Sequence, residues 1–575
     1  MYQGAVRFMT EINLKQMPYS ARGSWMVLSQ LGENYRGLGN SAGYFLRTVH
    51  STVMTPLVAQ VTFGLAGEDS PDNTLLDHTA LVLSRHDSRI ECCYADADTL
   101  LFRGSVGTEI LLDFLTDNGP YDYIYEIMEQ GCRLYMANCF KNNNKYLIRV
   151  QEGNCTLEQQ WEESSALYSR LRINGDGGFL FSLQEIETEW DRDLSLPDFN
   201  AARDRMDEDF LSVASGMPSL PEPYSETGRL AAWLDWSSMV RPAGFLKTES
   251  MFMSKNWMTN VWSWDHCFNA LALAKGNPDL AWDNFMVMAP FQDASGRLPD
   301  SISDTRIVWN YCKPPIHGWT FRKLTEKMSM THEQLEAAYG FLSKWTGWWM
   351  KYRRINGLYY YNHGNDSGWD NSTAFSLLPP VATPELQADM ILQMRMLAKL
   401  ADQLGAPESR DLWNDEADKH RELFLERCFR NGLPVAIQCS TGRIVENESL
   451  LPYEVLILGD ELPQEIRSTI IRVLKSDRFM TPCGFATESP KSPVYRPDGY
   501  WRGPIWAPST ALLVDGLERC GEHELAALTA HKFADLCRAN GFAENFDALT
   551  GEGQRDLAYT WTASVFLTLA AEYLL

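Results

Sequence analysis

The sequence predicts an antiparallel β-sandwich followed by a mostly helical domain, on three observations. Up to about Trp190, short segments alternate apolar and polar residues with a period of two. From about residue 245 the apolar residues recur at three- and four-residue intervals. Between the two regions lies a proline-rich break, M-P-S-L-P-E-P, which no helix would continue through. The expected divisions are a β-sandwich over 1–190, a linker with a helical segment over 191–244, and a helical domain over 245–575.

In the first region, Tyr121–Ile127, Cys132–Phe140 and Lys145–Val150 read as strands, with K-N-N-N and E-G-N as turns between or after them. Many short strands at this spacing argue for a sandwich. Arg22–Trp25 and Arg47–His50 carry reactive residue types, but structural roles fit them better. The linker opens with an acidic helical piece, D-R-M-D-E-D-F.

In the third region, Asn277-Pro278 supplies an N-cap and a first-turn proline, and Thr331 with Gln334 fits a capping box. Leu335, Tyr339, Leu342 and Trp349 share one helical stripe. Leu386, Met390, Met394, Leu397, Ala401 and Leu404 form another, stopped by Gly405. Further helices are expected over Ala511–Glu518, His523–Ala539 and Thr560–Leu575. The aromatic-rich connectors are too long to be mere links. Paired amphipathic helices suit a toroid, and the periodicity equally allows another helical solenoid.

The totals exclude several classes. A formal charge of −24 repels phosphate backbones and anionic membranes, so neither nucleic acid nor a membrane is an expected partner. No apolar run approaches the ~20 residues of a membrane span. Twelve cysteines lack any C-x-x-C pair, and the N-terminal residues lack the apolar stretch of a secretory signal. A reduced, cytoplasmic protein without a zinc site or disulfide framework is expected. Nineteen tryptophans, many beside Asp, Arg or Gly, suit sugar-ring stacking as well as core packing.

The chemistry centres on Tyr361–Ser372, Y-N-H-G-N-D-S-G-W-D-N-S, where Asp366 and Asp370 flank a tryptophan in a glycine-punctuated loop. A carboxyl held against an aromatic wall loses hydration, keeps its proton and can act as an acid. An Asp-rich surface turn is the plainer alternative. Three other connectors belong with it: Asn256–His266; Gly296–Asp300 with Lys313–Trp319; and Tyr500–Trp506 followed by Ala543–Gly551.

W-S-W-D-H, K-P-P-I-H-G-W, S-G-W-D-N-S, Y-W-R-G-P-I-W and E-N-F-D-A-L-T-G, in this order, resemble the motif series of glycoside hydrolase family 63 and its relatives among bacterial α-glucosidases, mannosylglycerate hydrolases and trehalases. The match runs from about Met251 to the C-terminus. The resemblance implies an (α/α)6 barrel, frequently preceded by a β-sandwich. It implies Asp370 as general acid and Glu544 as general base. Phe546 departs from the motif, where tyrosine is usual. Trp264, Asp265, Trp319, Trp369, Asn371, Arg502, Trp506 and Trp561 are the expected sugar contacts.

An inverting glycosidase needs an acid for the leaving oxygen and a base for water on the opposite face, roughly 6.5–9.5 Å apart. Trp369 and the W-x-W pair are expected to desolvate the acid. Glu544 needs a polar setting that keeps it ionised, with Arg502 as a candidate cation. Glu446, Glu448 and Glu488 are competing bases in helix-poor stretches. The reading is an inverting exo-α-glycosidase acting on a small saccharide or glycoside, releasing glucose first and mannose second in preference. No cofactor and no metal are expected, since no EF-hand-like ligand run occurs. The alternatives are a glycoside phosphorylase of related architecture and a non-catalytic carbohydrate-binding protein on a hydrolase scaffold.

Overall fold

The computed structural model describes residues 12–32, 42–50, 57–114, 121–129, 132–186, 188, 190 and 196–575. The chain forms two compact units. The first comprises Met1–Ala214, Trp236–Pro242 and Ser254–Thr259, and the second comprises Ser215–Asp235, Ala243–Met253 and Asn260–Leu575.

The first unit is antiparallel β. One sheet has the strand order Met26–Leu31, Gly43–Thr48, Leu57–Leu65, Thr108–Phe114, Ser165–Asn174, Asn154–Glu162. The other runs Asn73–Leu76, Leu81–Arg85, Ser88–Asp96, Thr99–Gly104, Phe179–Ile186, Asn144–Glu152, Cys132–Cys139, Tyr123–Glu129. The period-two segments lie on these strands, with Cys139 paired to Asn144 at a tight turn. Helix α1 (Phe199–Ala214) buries Phe199 and Ala202 against Ala80, Val82, Cys93 and Leu101. Part of the expected linker therefore packs on a sheet of the first unit. Arg47 is buried with its guanidinium donating to Ser29 Oγ and to the carbonyls of Lys255 and Asn256, a structural role.

The second unit is helical, with α2 (Ser225–Ser237, all but its last two residues in this unit), α3 (Asp265–Leu273), α4 (Pro278–Met286), α5 (His317–Lys327), α6 (His332–Tyr352), α7 (Pro384–Gln403), α8 (Pro407–Arg427), α9 (Gln464–Leu474), α10 (Ala507–Arg519), α11 (His523–Asn540) and α12 (Thr560–Tyr573). A 3-10 segment, Leu451–Glu461, stands between α8 and α9. Thr331 and Gln334 form the capping box of α6. Pro278 opens α4, but the Asn277 side chain makes no capping bond. Gly405 adopts φ +72° just beyond α7, which ends that helix.

The packing follows a closed cycle: α3 contacts α5, α5 contacts α7, α7 contacts Leu451–Glu461, that segment contacts α10, α10 contacts α12, and α12 returns to α3. These elements are mostly buried; α3 is buried along its whole length. Helices α4, α8 and α11 pair with α3, α7 and α10. Each connector with a chemical motif enters the N-terminal end of a cycle helix: W-S-W-D enters α3, K-P-P-I enters α5, S-G-W-D-N-S leads to α7, Y-W-R-G-P-I-W enters α10 and E-N-F-D leads to α12.

Three carboxyls, Glu385 and Asp389 on α7 and Glu454 in the 3-10 segment, are buried with raised pKa values. Burial alone pushes Asp389 up to about 8. Between its unfolded value of about 4 and that raised value, the folded state holds the extra proton, so stability falls as pH rises across the interval. Asp389→Asn is therefore expected to raise the melting temperature more at pH 8 than at pH 5. An equal change at both pH values in thermal unfolding would refute this assignment.

Candidate active site

The S-G-W-D turn owes its shape to Gly368, which takes φ +75° and has the Trp264 ring so close that a Cβ there would lie 2.4 Å from it. This close approach sets the first W-x-W motif against the Asp366–Asp370 loop. The two aspartates then diverge in role. Asp366 is buried and takes three donors: the Arg353 guanidinium at 2.8 Å, the Asn362 N–H at 2.9 Å and the Cys312 N–H at 3.1 Å. Its carboxylate knits the loop. Asp370 is half-buried.

Burial raises the Asp370 pKa and Asp300 adds to this, while Lys313 and a hydrogen bond with Tyr500 oppose it. The net direction is upward, as an acid requires. Lys313 is itself buried. Its ammonium lies 3.0 Å from Asp300 and donates to the Asn365 carbonyl and side chain at 2.8 and 2.6 Å. Although burial disfavours its charge, Asp300 and Asp370 keep it protonated. Asp265, first residue of α3, completes the acidic group. Burial pushes it up to about 8, with Lys313 opposing and Asp300 and Asp370 adding.

Tyr500 joins the two halves of the site. It sits at φ +63°, a strained conformation for a bulky residue, which lets it bond to Asp370 while it also feels the Glu544 charge. Glu544 is 6% exposed, and its N–H donates to the Asp556 carbonyl at 2.7 Å. Burial pushes Glu544 up to about 8; Asp556 and Asp370 add to this and Arg555 opposes it. The Arg555 guanidinium lies over the Tyr500 ring at 4.8 Å and pairs with Asp498 at 2.5 Å. Two expectations are thereby corrected. The setting of Glu544 is desolvated rather than polar, and the cation acting on it is Arg555.

Arg502 stands at the Asp370 loop: its Nε donates to the Asn371 carbonyl at 2.6 Å, and its charge acts on Glu488. Asn371 is likewise engaged by the neighbouring loop. Its amide donates to the Gly499 carbonyl and accepts from the Trp501 N–H, each at 3.0 Å. Both residues tie the Gly499–Arg502 segment to the Asp370 loop. Trp319 lies elsewhere: its indole N–H donates to Asp515 at 2.8 Å, in a cluster with Arg322 and Lys323, and it lines a small internal cavity with Phe268 and Val514.

The other aromatic residues converge. Trp369 stacks on Trp501 at 4.6 Å, Trp501 stacks on Trp506 at 3.9 Å, and Trp561 meets both Trp264 and Trp506 edge-on at 5.7 and 5.6 Å. Tyr559 packs on Trp561 at 4.9 Å and its hydroxyl is influenced by Asp265, Glu544 and Tyr500. Among the described residues, Asp265 Oδ2 and Trp561 Nε1 are buried without a hydrogen-bond partner. Buried polar atoms are rarely left so, and each of the two can hydrogen-bond a hydroxyl group.

The competing glutamates are otherwise placed. Glu446 is exposed, Glu448 pairs with Arg478 at 2.9 Å, and Glu488 accepts from the Thr373 and Ser492 hydroxyls at 2.6 Å each. Reading the sequence missed Tyr500, Trp501, Lys313, Asp300, Tyr559 and Arg555 as site members. Tyr500, Trp501, Lys313 and Asp300 stand inside connectors already marked. Arg555 and Tyr559 carry no local signal.

Residues 258–562 match the family described as "Mannosylglycerate hydrolase MGH1-like glycoside hydrolase domain". A glucosylglycerate hydrolase of Mycolicibacterium hassiacum is 24% identical over 410 residues, 54% of this chain and 91% of that protein. A mannosylglycerate hydrolase of Thermus thermophilus is 29% identical over 161 residues, 27% of this chain and 34% of that protein. Two solved structures share the fold. A bacterial glucoamylase complexed with acarbose superposes with a TM-score of 0.63 and 12% identity, covering 100% of this chain and 96% of that one. The GH63 mannosylglycerate hydrolase from Thermus thermophilus complexed with Tris and D-glycerate gives 0.52 and 20% identity, covering 60% and 99%.

Proposed function

This chain belongs to the mannosylglycerate hydrolase MGH1-like glycoside hydrolase family and is a glycoside hydrolase, and on that premise we propose that it is an inverting, exo-acting α-glycosidase for a small glycoside. Glucose is the first candidate for the released sugar and mannose the second. The names of its relatives make glucosylglycerate the first substrate to test and mannosylglycerate the next. The helical unit reads as an (α/α)6 barrel over about 245–575, supported by the closed cycle of six buried segments. Twelve free thiols accord with a reducing, cytoplasmic setting. Among the described residues no helix is long and apolar enough to cross a membrane.

The carrying observation is the coupling of Asp370 and Glu544 through one aromatic-walled group, with Tyr500 against both. In the reaction Asp370 delivers its proton to the leaving glycosidic oxygen as that bond breaks. Glu544 takes a proton from the water that attacks the anomeric carbon on the opposite face, so the released sugar has inverted configuration. Asp265 and Trp561 would hold sugar hydroxyls, and the stacked indoles exclude water. The test is NMR of the first-formed sugar from α-glucosylglycerate in phosphate-free buffer. Prompt release of the β-anomer is expected. Retention, or turnover that requires phosphate, would overturn the mechanism.

The two carboxyls titrate as a pair, so the pH profile of kcat/KM reports their macroscopic values. Activity requires the pair to hold one proton, so the alkaline limb marks the loss of that last proton and, with Glu544 pushed up to about 8, is expected near there. Arg555→Met removes a cation that favours the ionised form, so the upper value rises and the limb moves to higher pH. A limb that stays or moves down in that variant would show that Arg555 does not act on Glu544.

A further inference from the structure

Outside the groups assigned to hydrolysis, three donors from two helices meet in the interior of the second unit. His266 and Cys267 lie in the first turn of α3 and His317 opens α5, and all three are fully buried. One ligand atom from each lies within 4.8 Å of the other two. The His266 Nδ1–H donates to the Asn284 carbonyl at 2.9 Å, which leaves its Nε2 lone pair directed elsewhere; Cys267 Sγ is 4.0 Å from that nitrogen. A carbonyl holding one imidazole nitrogen so that the other can ligate is the usual outer support of a metal-binding histidine.

His317 is the second indication. Among the described residues neither of its ring nitrogens has a hydrogen-bond partner. It is packed edge-on to Phe341 and Trp345, at 5.6 and 6.3 Å between centroids. The Ser263 carbonyl approaches both imidazoles, and Ser263 Oγ is buried and unpartnered among the described residues. The Cys267–His266 separation of 4.0 Å is the outer limit of a sulfur hydrogen bond. All three atoms are close enough to be drawn onto one ion with bonds of about 2.0–2.3 Å.

We propose that His266, Cys267 and His317 bind one thiophilic d10 cation, Zn2+ or Cu+, which ties the first turn of α3 to that of α5. Two imidazoles and a thiolate are a borderline-to-soft donor set suited to such ions. Burial lowers the His266 pKa to about 4 and that of His317 further, so both rings are neutral ligands at physiological pH. Burial also keeps Cys267 protonated, so binding forms the sulfur–metal bond as the S–H bond breaks and releases one proton to solvent per ion. With the thiolate, Cu+ gives a neutral centre. Zn2+ leaves one positive charge on the three-ligand centre. Because Asp265 precedes His266, the ion would also fix where that carboxyl stands. The donors lie 50 residues apart, so no ligand run appears in the sequence.

The full chain, purified without a metal-affinity step, is expected to carry about one Zn or Cu per molecule by elemental analysis. After chelation, titration with Zn2+, or anaerobically with Cu+, should restore one ion, raise the melting temperature and release one proton. Co2+ should give a thiolate charge-transfer band that Cys267→Ser abolishes. The ion that restores stability at stoichiometric addition identifies the metal. Absence of stoichiometric metal, with no thermal shift for either cation and no Co2+ band in the unaltered protein, overturns the proposal even if the variant does not fold.

Discussion

Asp370→Asn and Glu544→Gln are each expected to lower kcat by about 10²–10⁴-fold, the usual contribution of a positioned acid or base, with no loss of stability. Both carboxyls are held against dehydration, so neutral isosteres remove charges that burial disfavours. Unchanged or raised melting temperatures should accompany the loss of turnover. The two variants are further separable. Glu544→Ala leaves the acid in place, and azide can then attack from the water's side to give a β-glycosyl azide. Asp370→Asn gains nothing from azide but recovers on substrates whose leaving group needs no proton. If either variant turned over α-glucosylglycerate normally while wild-type activity was established, that residue would have to be removed from the mechanism.

Asp366→Ala, four positions away, is expected to do the opposite: lose about 3–5 kcal/mol of stability, the typical result of stripping one partner from a buried ion pair. The buried Arg353 would keep its charge without its carboxylate at 2.8 Å, and the Asn362 and Cys312 N–H groups would lose their acceptor. A fall in the urea midpoint at unchanged slope reads the effect. Activity should fall only to the extent that the loop unfolds. A stable but inactive Asp366→Ala would exchange the roles of the two aspartates.

That contrast marks how far the residues alone could be read. Local pattern sufficed for the strand segments around Cys139–Asn144, the capping box at Thr331 and the end of α7 at Gly405, because each rests on near-neighbour periodicity or backbone preference. It did not reveal that the Asn277 side chain makes no capping bond to α4, or that α1 packs on a sheet of the first unit, since both depend on what lies opposite. The motif order likewise brought forward Asp370 and Glu544, while the separation of Asp370 from Asp366 by environment needed the fold. Arg502 and Trp319 were plausible by composition. The fold engages one with Asn371 and the other with Asp515, partners 131 and 196 positions distant.

By itself the chain order determined which segments are strands, which are helices, and which aromatic connectors carry carboxyls, since these follow from steric and hydrophobic preferences among residues close in sequence. Only the tertiary structure decided which cation faces Glu544, which tryptophans share a wall, and that His266, Cys267 and His317 meet. Charge, stacking and ligation act through space over a few ångströms, and closing the helical cycle brings distant positions within that range.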